Sequence, residues 1–120
     1  MNNKLYHYKV HKLVKIVDGD TIDAVIDLGF NIFIQKRIRL YGIDTPECRT
    51  RDKQEKVRGL AAKQKLKELL SQNKKAIFVE SFGEGKFGRL LAKIYVEDQD
   101  VIATMIDQGY GKEYDGGARK

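Results

Sequence analysis

The chain has 120 residues, 42% of them hydrophobic and 33% charged, the size and balance of one globular domain with a single core. No apolar run approaches the ~20 residues of a membrane span and Met1 to Tyr8 contain no apolar signal core, so the expectation is no membrane span, and a cytoplasmic protein or one secreted after removal of an export signal. A net charge of +6 and a pI near 9.4 favour polyanions such as nucleic acid, while the one cysteine, Cys48, excludes an intramolecular disulfide and any multi-cysteine zinc site.

Val10 to Val17 is β-like but interrupted by charge, with Val10, Leu13, Val14, Ile16 and Val17 as its apolar members. After the Asp18-Gly19-Asp20 turn, Ile22, Ala24, Ile26 and Leu28 alternate with Asp23, Val25 and Asp27, the period of a half-buried strand. Asp20 shares the parity of Ile22, so its carboxylate is expected to face the core side at the strand's start, where it needs a partner. Gly29-Phe30-Asn31 reads as a turn and Ile32 to Tyr41 as the next strand. In it Ile32, Ile34, Ile38 and Leu40 share one face, and Arg37 and Arg39 take the other.

A charged segment, Cys48 to Lys56, leads into one long helical pattern over 52–72, whose stripe is Val57, Leu60, Ala61, Leu66, Leu69 and Leu70, with Asn73 as its stop. Gly59 is out of keeping with a helix interior. Ala76 to Phe82 is a fourth strand, Gly83 to Gly88 a glycine-rich loop, and Arg89 to Val96 a fifth strand. Asp98 or Asp100 then caps a short helix carrying Val101, Ile102, Met105 and Ile106 and closed by Gly109. The resulting expectation is an α+β, mainly β fold: a five-stranded OB-fold barrel with a long helix after strand 3 and a short C-terminal helix, in a single domain over 1–120.

The chemistry gathers in Asp18-Gly19-Asp20-Thr21 and Tyr41-Gly42-Ile43-Asp44-Thr45-Pro46-Glu47. Asp20 and Asp44 are hard oxygen ligands suited to Ca²⁺, Mg²⁺ or Mn²⁺ rather than zinc. Glu47, beyond a Thr-Pro corner, is placed to act as a general base on water, and Arg39 and Arg89 bracket the acidic cluster with guanidinium forks. Metal carboxylates, a base and two phosphate-binding forks describe a phosphodiester-cleaving site.

The same segments, with Arg39-Leu40 before the second and Lys86-Phe87-Gly88-Arg89 after it, resemble the staphylococcal nuclease (thermonuclease) family from about Val14 to about Tyr114. The resemblance implies an OB-fold and a Ca²⁺-dependent endonuclease acting on DNA and RNA, with water attacking phosphorus and 3′-phosphate ends left. It implies that Asp20, Asp44 and the Thr45 carbonyl hold Ca²⁺, that Glu47 orients or deprotonates the water, and that Arg39 and Arg89 hold the scissile phosphate. Lys86 and Phe87 then contact the substrate, although Phe87 lacks the hydroxyl of the tyrosine found there in the type member, and the aromatic that cradles the nucleotide falls on Tyr114 or Tyr110, with Tyr114 taken as the substrate contact. A monomer is expected.

The competing readings are weaker. Gly83-Glu84-Gly85-Lys86-Phe87-Gly88 fits the dinucleotide pattern G-x-G-x-x-G, but a strand follows it where a helix is required. Asp18 and Asp20 lack the later residues of an EF-hand, and Asp18 reads as a turn former. His7 and His11 have helical zinc-pair spacing in a segment that is not helical, and Cys48 reads as a bystander. The alternative function is a non-catalytic OB-type module that binds nucleic acid or protein. Such a module gains nothing from three carboxylates that repel a phosphate ligand.

Overall fold

The computed structural model describes residues 6–71, 75–85 and 88–114. Strands β1 (His7–Asp18), β2 (Thr21–Asp27) and β3 (Phe33–Leu40) form an antiparallel ribbon. Strand β5 (Ile77–Glu84) pairs antiparallel with the start of β1 and with β6 (Leu90–Val96). Strand β6 then runs parallel to β3, with Ile38 opposite Leu90 and Leu40 opposite Ala92. That last pairing closes a mixed five-stranded barrel in the order β3-β2-β1-β5-β6, which removes the exposed edges an open sheet would leave. With its two helices the molecule is an α+β, mainly β OB-fold, as the sequence indicates.

Strand β1 shows why its sequence lacks clean alternation. Its register against β2 shifts between Val10 and Lys12, between Leu13 and Lys15, and between Ile16 and Asp18. Each bulge adds one residue, so the inward side chains Val10, Leu13 and Ile16 recur every third position instead of every second. Val14, counted among the apolar members, is exposed. The strand also begins earlier than expected, and His7 and His11 lie on it. His7 faces Glu80 at 3.9 Å, and the His11 ring stands 4.6 Å from that of Phe33.

The core is filled by Ile22, Ala24 and Ile26 of β2, Ile38 and Leu40 of β3, and Val79, Ala92, Ile94 and Val96 of β5 and β6. Helix α1 (Lys53–Leu70) covers one opening with Ala62, Leu66, Leu69 and Leu70, and α2 (Val101–Asp107) adds Val101, Ile102 and Met105. Asp52 caps α1 by accepting from the Gln54 and Glu55 amides, and Asp100 caps α2 by accepting from the Ala103 amide. Asn73 lies outside the described residues. Among those described, no helix is long and apolar enough to cross a membrane.

The buried face of α1 departs from the expected stripe in its first half. Val57, Leu60 and Ala61 point to solvent, and the inward position is Gly59. A Cβ there would fall 2.7 Å from the Cys48 nitrogen and closer still to the Glu47 carbonyl. The helix therefore meets the Glu47–Cys48 backbone directly, and an apolar side chain has no room on that side. The glycine disfavoured by helix propensity is required by this contact.

Candidate active site

Two short devices hold the barrel mouth together. The Leu40 amide donates to the Asp20 carbonyl at 2.8 Å, which ties the end of β3 to the turn between β1 and β2. Past β3 the chain reverses at Tyr41-Gly42, where Gly42 has φ +91°, a conformation glycine adopts freely. It enters β4 (Ile43–Asp44), which pairs with β8 (Lys112–Glu113) beyond α2. Strand β8 and the two-residue β7 (Gln99–Asp100), which pairs with β6, are too short to leave a periodic signal in the sequence.

Three of the expected site residues converge there. Arg39 Nη2 lies 3.6 Å from Asp20 Oδ2 and 3.6 Å from Asp44 Oδ1, so one guanidinium stands between two carboxylates. Its Nη1 donates to the Leu40 and Ile43 carbonyls at 2.8 Å each. These bonds fix the fork, since a fully extended arginine would otherwise sample many rotamers. Asp20 is 8% exposed, and its inward placement matches its parity with Ile22. Its Oδ1 accepts from the Thr21 hydroxyl and its Oδ2 from the Thr45 amide, the partners a buried carboxylate needs.

Thr45 is buried, and its Oγ1 has no hydrogen-bond partner among the described residues. Glu47 is exposed, two residues on, and its amide donates to Glu55 Oε2 at 3.2 Å. With Asp44, Thr45 and Pro46 it lines a cleft of about 580 Å³ whose other wall is Glu55, Arg58 and the segment Gly109–Lys112. Glu55 and Arg58 were not singled out in the sequence. A regular helix offers no sign of which charged side chains will face a neighbouring loop.

Cys48 holds this loop in place. Its amide and its thiol both donate to Asp18 Oδ1, at 3.4 and 2.6 Å. Burial, then the hydrogen bond to Asp18 and that carboxylate's charge, push the thiol up to about 11. It stays protonated at neutral pH and serves as a donor, not a nucleophile. Asp18 is thus more than a turn former, and Cys48 more than a bystander.

Tyr114 lies beside Arg39, with the guanidinium carbon 5.6 Å from its ring centroid and its amide donating to the Gly42 carbonyl. Tyr110 instead packs on the core and carries Lys65 Nζ 6.0 Å from its ring. Arg89 opens the approach to β6, half-buried, and its Nε is buried without a hydrogen-bond partner among the described residues. An orphaned guanidinium N–H is costly unless a ligand anion completes it. Lys86 and Phe87 lie outside the described residues. Among the described residues no group of three or more His, Cys, Asp or Glu is gathered as a metal-binding set. The hard oxygen donors near one another are Asp20, Asp44 and the backbone at Thr45.

The fold and its site define an OB-type barrel protein with carboxylates and a guanidinium at one mouth. The model of the family described as staphylococcal nuclease homologue matches residues 37–119. The SPbeta prophage-derived endonuclease YokF of Bacillus subtilis (strain 168) is 31% identical over 101 residues, covering 83% of this chain and 32% of that protein. Endonuclease YncB of the same strain is 29% identical over 101 residues, 83% of this chain and 46% of the relative. Protein ParB of Escherichia coli is 29% identical over 112 residues, 86% of this chain and 56% of that protein. The chain thus spans between about a third and just over half the length of these relatives. It belongs to the staphylococcal nuclease homologue family.

Proposed function

We propose that the chain, acting as one domain and as a monomer, is a Ca²⁺-dependent endonuclease that hydrolyses DNA and RNA to 3′-phosphate products. The observation that carries this is the placement of Arg39 3.6 Å from both Asp20 and Asp44 in one barrel mouth. The relatives named as endonucleases support it, as does a net charge of +6.

The donor set fits a hard cation: the Asp20 and Asp44 carboxylates and the Thr45 carbonyl are all hard oxygen donors. Ca²⁺ held there supplies positive charge against the phosphoryl oxygens. Arg39 and Arg89 hold those oxygens through N–H donors, and the Nε of Arg89, without a hydrogen-bond partner among the described residues, suits it to that task. Glu47 takes the proton of the attacking water as its oxygen bonds to phosphorus. The bond from phosphorus to the 5′-oxygen breaks, and that oxygen leaves as a hydroxyl after protonation from solvent. Lys86, Phe87 and Tyr114 contact the nucleotides on either side.

Cleavage of single-stranded and duplex DNA and of RNA should be measured with Ca²⁺, with Mg²⁺ and with EGTA, with Asp44→Ala alongside. Ca²⁺-dependent cleavage that disappears in Asp44→Ala supports the reading. Tight binding with no cleavage in any metal overturns it and leaves a nucleic-acid-binding module.

A further inference from the structure

We propose that the stacked rings of Tyr41 and Phe82 form a second nucleobase-binding platform on the outer face of the barrel, which selects an unpaired strand. The proposal rests on the nuclease reading above and extends it to a strand preference. The two rings have centroids 4.6 Å apart and planes inclined by 25°. Both belong to the exposed large hydrophobics, at 36% and 46%. The Tyr41 amide donates to the Ala92 carbonyl at 2.8 Å, which continues the β3–β6 ladder one residue past the strand. Ser81 pairs with Ala92 from the other side of β6, and Phe82 follows it. The rings therefore reach toward each other across β6 from the two strands that flank it.

Their position relative to the candidate site gives this pair a function. Leu40 is buried, so strand alternation puts Arg39 and Tyr41 on the same side of the chain, with the Arg39 side chain largely covered in the mouth and Tyr41 exposed. Two residues of strand separate their Cα atoms by about 7 Å, and the fork of Arg39 is bonded to the Leu40 and Ile43 carbonyls that flank the Tyr41-Gly42 turn. A phosphate at Arg39 places the next nucleotide within reach of the Tyr41 ring. The turn that carries the ring is anchored, since the Gly42 carbonyl accepts from the Tyr114 amide. A cross-strand aromatic pair can serve stability alone, but that role does not call for a ring two residues from Arg39 on the same side of the strand. Base faces are open only in an unpaired strand, and aromatic stacking on them is tolerant of sequence.

The chain has no tryptophan, so Phe82→Trp introduces a single tryptophan, excitable apart from the tyrosines, at the platform. Single-stranded oligonucleotide in EGTA is expected to quench it, and blunt duplex of equal length to quench it far less. The double variant Tyr41→Ala/Phe82→Ala should bind single strands about ten- to a hundredfold more weakly. Tyr41→Phe keeps the ring and should bind as wild type. Turnover of a mononucleoside aryl phosphodiester, which has no second base, should stay within twofold in the double variant and report intact folding and chemistry. Unchanged single-strand affinity in the double variant, beside wild type that binds and cleaves, overturns the platform and leaves the nuclease reading standing. A wild-type chain that neither binds nor cleaves nucleic acid overturns both.

Discussion

Strands β2 and β3 form one antiparallel ribbon whose two ends break the usual rule of burial in opposite ways. At the Thr21–Arg39 end, polar groups are buried: Asp20, Thr21 and Thr45 are all at or below 8% exposure. At the Asp27–Phe33 end, apolar groups are exposed, with Phe30 97% open and Ile32, Phe33 and Ile34 partly so. The register between the strands is continuous from one end to the other, so the backbone pairing does not account for the difference. What differs is the surroundings. The first end abuts the Thr45–Cys48 loop and closes against β6, whereas the second projects beyond the barrel. Burial of the Asp20 carboxylate is tolerated because Arg39, the Thr21 hydroxyl and the Thr45 amide satisfy it.

The comparison breaks first at the mouth. Glu47→Gln is expected to lower the turnover of DNA by roughly 10²–10⁴, the usual worth of a positioned base. Arg39→Lys should cost a comparable factor, because an ammonium cannot make both 2.8 Å bonds to the Leu40 and Ile43 carbonyls while facing two carboxylates. Both losses are read in steady-state kinetics beside thermal melts. Activity within tenfold of wild type for Glu47→Gln would remove that residue from the role of base.

What the sequence discloses about these two ends follows the range of the forces involved. Period-2 alternation placed β2 and β3 and the inward turn of Asp20, because strand parity is a local property. Gly59 and Cys48 were misleading on their own terms. Helix propensity makes a glycine look like a flaw, and a lone cysteine looks inert. Their reasons lie in Glu47 and Asp18, 12 and 30 positions away in the chain. The stripe of α1 failed in its first half for the same cause, since a backbone packing on a backbone leaves no apolar side chain to count. The bulges of β1 likewise erased an alternation that the core requires. The cleft residues Glu55 and Arg58 became visible only when α1 was seen to face the loop.

Gly59→Ala sharpens the comparison by disturbing the mouth from behind. Helix propensity alone would favour alanine by about 1 kcal/mol. The added methyl meets the Glu47–Cys48 backbone, and overpacking of this kind typically costs about 1–3 kcal/mol. The expected result is a lower denaturation midpoint, with a drop in kcat of about tenfold as Glu47 is displaced. A variant more stable than wild type and fully active would show that the loop does not rest on the helix.

Cys48 offers a smaller and pH-dependent effect. Its thiol is raised from 9.0 to about 11 in the folded state, so the folded chain retains a proton that the unfolded chain releases. The stability this contributes is complete below pH 9 and is lost as pH rises toward 11. At about 1.36 kcal/mol per pKa unit its ceiling is about 2.7 kcal/mol. Tyr95, raised to about 12 by burial and then by its bond to Glu80, adds a similar loss at higher pH. Urea unfolding from pH 8 to 10.5 should therefore show a shallower decline in Cys48→Ala than in wild type. Equal slopes would remove the Cys48–Asp18 bond from the stability of the loop.

The smallest effect belongs to the exposed end. Phe30 sits at the hairpin tip with φ +56°, beside Asn31 at +61°, in a turn held by the Leu28 amide on the Ile32 carbonyl and the Gly29 amide on Asp27. Its ring is almost wholly solvated, so Phe30→Ser removes little buried area, and a surface change of this kind falls within about 0.5 kcal/mol. Replacing a β-carbon substituent in the left-handed region by a smaller polar one should not add strain. Turnover of DNA by Phe30→Ser is expected within twofold of wild type, because the register from Asp27–Phe33 to Thr21–Arg39 separates the tip from Arg39 by the length of the ribbon. A tenfold loss would mean that the tip reaches the substrate, and the two ends would then have to be treated as one surface.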